Sequence, residues 1–256
     1  STDDSLIIAQ NFCANHPECH VISQPNQGVS TARNSAIRHA KGTYILPVDA
    51  DDKIADTLIE KAVEVLKNND NIRAVGCRAR MFGAINKEWK LPPFSHALLA
   101  RKNMIPATAL YRKADWERCG GYCEEEIYRE DWDFWLSMME LGGDFYLLDE
   151  ILLFYRISTG SRRVLAKSRK KISVDTINRR HPAYLKKYLG GPLYYHRSWS
   201  RFINLFRSEK IVGNYTNWDE GKIIHAKRNI LRAHNNFISK QFATPPIWRG
   251  LIYGWF

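Results

Sequence analysis

The stretch that organises the rest of the chain is Tyr44-Ile45-Leu46-Pro47-Val48, which runs straight into Asp49-Ala50-Asp51-Asp52. Five mostly apolar residues are too few for a buried helix, so they predict an interior strand delivering three carboxylates to its C-terminal end. Open α/β sheets bind ligands at that edge. Upstream, Ser1 or Thr2 is placed to cap a helix to about Asn15 with Leu6, Ile7 and Phe12 as its apolar face, and His20 to Ser23 reads as a short strand. After the loop Gln24 to Val29, Ser30 is the expected N-cap of a helix that buries Ala32, Ala36, Ile37 and Ala40 and stops at Gly42. Downstream of the acids, Asp56 to Asn69 has helical spacing at Leu58, Ile59, Ala62, Val63 and Leu66. Ile72 to Arg80 reads as a strand and Met81 to Leu91 as a turn-rich excursion. Asn103 to Tyr111 reads as extended, Lys113 to Arg118 as a short helix and Gly120-Gly121 as a sharp break. Arg129 to Leu136 begins a helix with acids in its first turn. Asp144 to Leu148 and Ile151 to Ile157 are the last strands, and Trp199 to Phe206 and Ile223 to Phe242 are helical. Such alternation predicts an α/β fold, a mostly parallel sheet flanked by helices.

Composition adds an organisation to this pattern. With 256 residues, 45% hydrophobic and 25% charged, the chain can bury a substantial core. One domain plus an appendage follows: a core over 1–158 and a basic helical region over 159–256. The chain has neither a membrane-length apolar run nor a basic-then-apolar start, which points to the cytoplasm. Five scattered cysteines fit reduced thiols. Cys13, His16, Cys19 and His20 have ligand-like spacing for zinc, but no second half-site follows them. The net charge of +11 is uneven, with Lys and Arg crowding Arg162 to Arg180 and Lys222 to Arg232. That bias favours an anionic partner, whether nucleic acid, acidic lipid headgroups or a phosphorylated substrate; a solvated basic face is the plainer alternative.

Three carboxylates within four residues raise one another's pKa unless a cation or hydrogen-bond donors neutralise them. Hard oxygen ligands suit Mg²⁺ or Mn²⁺ carrying phosphate oxygens. The same acids also read as a solvated turn capping the next helix. Glu130 and Asp131 carry a similar ambiguity, since a helix dipole favours acids in the first turn.

Asn26-x-Gly28 followed by Ala32-Arg33-Asn34, then Gly42-Thr43-Tyr44-Ile45 into Asp49-Ala50-Asp51-Asp52, then Gly120-Gly121, Glu130-Asp131 and Tyr155-Arg156, resembles the family-2 inverting glycosyltransferases of GT-A fold. The resemblance covers Ser1 to about Ser158, and it is the order and spacing of the pieces that make it specific. Pro47, awkward in a central strand, recurs in that family as Leu-Pro-x-Asp. The resemblance implies that Asp49, Asp51 and Asp52 form the DXD element, which holds Mn²⁺ or Mg²⁺ against the donor's diphosphate and touches its ribose. Asp51 and Asp52 are the candidate metal ligands, with their division of labour left open. Asn26, Gly28, Arg33, Asp49, Asp51 and Arg156 would bind the nucleotide sugar. Asp131 would be the catalytic base, and Glu130 and Trp132 would meet the acceptor. Trp132 and Trp135 also read as core aromatics. The implied partners are a nucleotide-sugar donor, a UDP-sugar first of all, a saccharide or lipid-linked acceptor, and an anionic membrane surface. The implied setting is bacterial surface polysaccharide or glycolipid synthesis, at the inner face of the plasma membrane.

One departure matters. Family members begin with a strand, a helix and a second strand ending in Asp-Gly-Ser-Thr-Asp, and Ser1-Thr2-Asp3 looks like the tail of that last motif. The chain is therefore expected to lack the first strands, leaving a gap beside Tyr44 to Val48. Reduced stability and weak nucleotide binding would follow. Rival readings are a metal-dependent nucleotidyltransferase, which also needs paired carboxylates, and a non-catalytic family member acting as a binding protein. Nucleic-acid binding is disfavoured, because no recognisable motif is present and the acids would repel a phosphate backbone.

Overall fold

Strand β3 (Ile72–Gly83) is the spine of the molecule, buried through Ile72 to Ala79 except at Arg73 and Arg78, which are partly exposed. The computed structural model describes residues 3–125, 127, 129–158 and 170–193, all within the compact unit Ser1–Leu205. Before β3 come α1 (Ser5–Ala14), α2 (Val29–His39), β1 (Tyr44–Ile45), β2 (Lys53–Ile54) and α3 (Leu58–Asn68). After it come β4 (Lys87–Trp89), α4 (His96–Arg101), β5 (Leu110–Arg112), α5 (Lys113–Arg118), α6 (Glu130–Glu140), β6 (Asp144–Ile157), α7 (Lys170–Arg180) and α8 (Pro182–Leu189).

The α/β class holds, but the sheet is mixed where a mostly parallel one is expected. Its order is β1-β5-β3-β6-β2, with β4 also on β3. Among the described residues, β3 with β6 is the one parallel pair. β1, β3 and β6 run in the same direction, as helical crossovers require; β5 inserts antiparallel between β1 and β3, and β2 lies antiparallel beyond β6. The acid-tipped strand is consequently at an edge of the described sheet, not inside it. It also stops at Ile45, two residues before Pro47, which has no N–H to give to a ladder. The two final strands predicted separately are one strand with register irregularities near Asp149 and Glu150, where the chain bulges.

Other departures have equally local causes. His20 to Ser23 forms no strand, and Val21 and Ile22 are exposed. Helix α1 forms, with Asp3 Oδ1 accepting from Ser5 N–H at 3.1 Å, but Leu6, Ile7, Ile8 and Phe12 are all exposed. Helix α2 starts after Gly28 instead of Ser30; it buries Ile37 as expected, but Ser30 and Asn34 in place of Ala32, Ala36 and Ala40. Asn34 explains this, because that face is held by hydrogen bonds more than by apolar contact. The helices expected over Trp199 to Phe206 and Ile223 to Phe242 lie outside the described residues, as do Ser1 and Thr2.

Side chains of β3 alternate between two layers. Val75, Cys77 and Ala79 face α3, whose Leu58, Ala62 and Leu66 are fully buried with Leu110, Leu152 and Leu153. Ala74 faces the other layer, where Tyr111, Phe134, Trp135 and Phe145 form the largest cluster with α4, α6, α7 and α8. Gly76 is required there: a Cβ would sit 2.8 Å from Cζ of Phe145. Helix α6 is also anchored by charge. Asp133, fully buried, accepts from Arg180 Nε at 2.8 Å and pairs with His181 Nε2 at 3.0 Å, while His181 Nδ1 lies 3.2 Å from Glu140 Oε2. Burial works against protonating His181, but these two carboxylates outweigh it and hold its pKa above the usual value.

Candidate active site

Two acidic turns meet at one arginine. The turn Asp49 to Asp52 closes through Asp52 N–H donating to the Asp49 carbonyl at 3.0 Å. From α2, Arg33 donates through Nη2 to Asp49 Oδ1 at 2.8 Å and through Nη1 to Glu130 Oε1 at 3.5 Å. Its side chain is only 13% exposed, so the fork works in a partly desolvated setting where charged hydrogen bonds are strong. The DXD-like turn and the first turn of α6 are therefore two contacts apart, although 79 residues separate Asp51 and Asp52 from Glu130 and Asp131 on average along the chain, as the numbering gives directly.

Asp131, next to Glu130, is half-buried. Its Oδ2 accepts from Asn103 Nδ2 at 2.6 Å and its Oδ1 from Trp132 N–H at 2.9 Å. Burial first, then the negative charge of Glu130, push its pKa up to about 6, with Trp132 N–H, Arg33 and Arg129 pulling the other way. A carboxylate poised there is ionised at neutral pH yet more basic than an ordinary aspartate, which suits a proton acceptor.

On the far side of the acid turn, Asp52 Oδ1 accepts from Arg156 N–H at 2.9 Å, and Arg156 Nε donates to the Asp51 carbonyl at 3.0 Å. The Arg156 guanidinium also lies 4.6 Å from the centre of the Phe82 ring. Burial, together with Asp49 and Asp51, raises Asp52 to about 6 against the opposing N–H of Arg156. Asp51 is exposed.

Of the residues expected to act together, the structure gathers Arg33, Asp49, Glu130 and Asp131 in one group and Asp51, Asp52 and Arg156 in an adjoining one. Asn26 and Gly28 shape the entry to α2: Asn26 Oδ1 accepts from Gly28 N–H at 3.2 Å, and Gly28 has φ +91°. Trp132 corrects the expectation of acceptor binding. It is 3% exposed, with its indole N–H donating to the Leu99 carbonyl at 2.7 Å, so it belongs to the core. Trp135, fully buried, is also core. Asn103 was not foreseen, since a single asparagine in a loop carries no pattern. Asn34 lies in the Ala32-Arg33-Asn34 motif and Tyr122 directly follows Gly120-Gly121, but their contacts join positions 88 residues apart.

A family model described as glycosyl transferase family 2 matches residues 1–133, just over half of the chain. The chain belongs to this family. Among curated relatives, this family-2 chain is 24% identical over 220 residues to a chondroitin synthase of Pasteurella multocida, covering 84% of the chain and 22% of the relative. It is 26% identical over 222 residues to a hyaluronan synthase of the same organism, with the same coverage. The chain thus spans about a fifth of the length of these synthases. Among solved structures, it superposes with a TM-score of 0.57 on the mannosyltransferase PcManGT from Pyrobaculum calidifontis, in complex with GDP-Man and Mn²⁺. That match is 16% identical and covers 90% of this chain and 68% of the other. S. aureus TarS 1–349 gives 0.51 at 17% identity, covering 83% and 66%. These likenesses show the GT-A fold.

Whether the acid turn of this family-2 chain suits a divalent cation can be judged from its donors. Among the described residues no three His, Cys, Asp or Glu side chains converge on one point, Cys13 to His20 included, and the five cysteines are free thiols. Asp49 is committed to Arg33, which leaves Asp51 and Asp52 as two hard oxygen donors, one of them short of positive charge. One or two carboxylates completed by phosphate oxygens and water is how Mg²⁺-type ions are commonly held, so the residues fit.

Proposed function

We propose that this chain transfers a sugar from a nucleoside-diphosphate donor to an acceptor hydroxyl with inversion, in the synthesis of a surface polysaccharide. The observation that carries this reading is Arg33 spanning Asp49 and Glu130, which ties the acid turn to the helix turn that carries the proposed base, Asp131. Asp131 takes the proton of the acceptor hydroxyl at a carboxylate oxygen, each of which keeps a lone pair beyond its one hydrogen bond. The acceptor oxygen then attacks the anomeric carbon from the face opposite the diphosphate, and the glycosidic bond forms as the bond to the diphosphate breaks. Asn103 orients the Asp131 carboxylate, and Glu130 helps seat the acceptor. Arg33 and Arg156 flank the donor phosphates, with Asn26 and Gly28 at the mouth of α2 on the same side. Asp51 and Asp52 would hold a divalent cation, Mn²⁺ or Mg²⁺, which would supply positive charge to the departing diphosphate.

Similarity to a chondroitin synthase and a hyaluronan synthase, together with the GDP-Man complex of PcManGT, supports the substrate class and the setting. A UDP-sugar is the first donor to try. The core over 1–158 carries the chemistry, and the Lys/Arg-rich sequence over 159–256 supports a place against the anionic inner face of the plasma membrane. No helix among the described residues is long and apolar enough to cross a membrane. The test is Mn²⁺-dependent release of nucleoside diphosphate from a panel of sugar nucleotides, with a saccharide acceptor present. Release that Asp131→Asn abolishes supports the reading; transfer that survives Asp131→Asn overturns it, and sugar-nucleotide binding without transfer points to a binding protein.

A further inference from the structure

We infer that Tyr122 is a positioning residue for the reaction proposed above: its ring is the platform that holds the Arg33 guanidinium at the height needed to reach Asp49 and Glu130 together. The inference rests on that reading for its catalytic consequence, but its geometry stands separately.

Arg33 Cζ lies 5.4 Å from the centre of the Tyr122 ring, within cation–π range. The same ring also stacks on Phe134 of α6, with centroids 4.1 Å apart and planes 19° apart. Tyr122 and Phe134 are 2% and 0% exposed, so the stack cannot drift toward solvent. A guanidinium, a phenol ring and a benzyl ring thus run in series from α2 to α6, the helix whose first turn carries Glu130 and Asp131. The ionic contact between Arg33 and Glu130 is the long one of its pair, and a long contact needs something else to define the donor's position.

Asn34 sets the platform itself. Its Nδ2 donates to the Tyr122 carbonyl at 2.8 Å and its Oδ1 accepts from Tyr122 N–H at 2.9 Å, a two-bond clamp on one backbone residue. Arg33 and Asn34 are neighbours on α2, so one helical turn both clamps the ring and places the cation over it. Gly121 makes the clamp possible. It has φ +73°, and a Cβ there would sit 2.9 Å from Asn34 Oδ1 and 3.0 Å from the Trp116 ring. Glu124 adds a second tie, accepting from Asn34 Nδ2 at 2.8 Å and Arg38 Nη2 at 3.3 Å.

Two measurements test the inference. The first replaces Tyr122 with phenylalanine, with leucine, and with phenylalanines carrying increasing numbers of ring fluorines, which drain charge from the ring face without changing its shape. With the sugar nucleotide the wild-type chain turns over best, Tyr122→Phe should stay within about twofold of wild type, and Tyr122→Leu should lose about 3- to 30-fold in kcat/KM. The fluorine series should fall stepwise between them. A flat or rising series overturns the inference, because stacking on Phe134 alone does not weaken as the ring loses electron density. The second measurement needs no turnover. The Arg33 side-chain N–H protons should be shifted upfield by the ring current in wild type and Tyr122→Phe, and should return toward free arginine values in Tyr122→Leu. Arg33 signals at free-arginine positions in the wild-type chain would overturn the platform even if transfer is observed. A wild-type chain with shifted Arg33 signals and no transfer sinks the functional reading and leaves the platform standing.

Discussion

Replacing Arg33 by alanine removes one side chain and leaves two acids facing a gap. Its 2.8 Å hydrogen bond to Asp49 is charge-assisted, and bonds of that kind contribute about 1.5–3 kcal/mol. Asp49 is 45% exposed, so water takes over part of that role and the lower end applies. The 3.5 Å contact to Glu130 adds little as a hydrogen bond, but it places a positive charge beside the Glu130-Asp131 pair. A loss of about 1.5–2 kcal/mol in transition-state stabilisation corresponds to about 10- to 30-fold in kcat/KM. A second signature separates this from general damage. Arg33 is one of the groups holding the Asp131 pKa down, so its removal should move the acid limb of the kcat/KM profile to higher pH. Arg33→Lys should recover part of the rate and most of the limb position, since one ammonium restores the charge but cannot fork between two acids. Initial rates of nucleoside-diphosphate release across the pH range, with thermal melts to confirm folding, read both effects. Arg33→Ala within about twofold of wild type, with the limb unmoved, would refute the bridging role.

Three further outcomes follow from the same geometry. Asp131 has its pKa raised to about 6, so kcat/KM should rise with pH through about 6 as the base ionises. For stability the sign is the reverse: the ionised carboxylate is penalised in the folded state, so this cost is absent below about pH 4 and is complete above about pH 6. It amounts to about 3 kcal/mol at neutral pH; urea unfolding should find Asp131→Asn more stable than wild type at pH 7 and equal to it at pH 4, although inactive. Trp132→Phe should lower stability by about 1–3 kcal/mol, because the buried Leu99 carbonyl loses its donor; a rise in acceptor KM without loss of stability would return Trp132 to the acceptor site. Gly121→Ala forces a Cβ into Asn34 and Trp116 at positive φ, and chemical denaturation should show a loss of about 1–3 kcal/mol; an unchanged midpoint would contradict the close approach.

How much of this was legible beforehand depends on the range of the interaction involved. The acid turn, Arg33, Glu130-Asp131 and Arg156 were legible because each sits in a short motif whose order along the chain is distinctive. Helix α5, the Gly120-Gly121 break and the start of α6 follow from local spacing and backbone freedom, and they stand where expected. The insertion of β5 between β1 and β3 was not legible, because a three-residue strand has no period and its neighbours are chosen by the whole sheet. Periodicity placed an apolar face on α1 but could not say what meets it. Nor could it choose between core and ligand for Trp132, since an amphipathic pattern records only that an aromatic ring avoids water. Asn103 reaches Asp131 across 28 residues through one amide, a contact with no sequence signature at all.

The buried pairing of Asp133 with Arg180 and His181 sits two residues from the proposed base. Helix α6 is therefore moored, near the end that carries the proposed base, to a segment 47 and 48 positions downstream. A displacement of that later segment would therefore reach the carboxylate of the proposed base through a buried ion pair and two residues of helix, without any change in the residues that surround the acid turn.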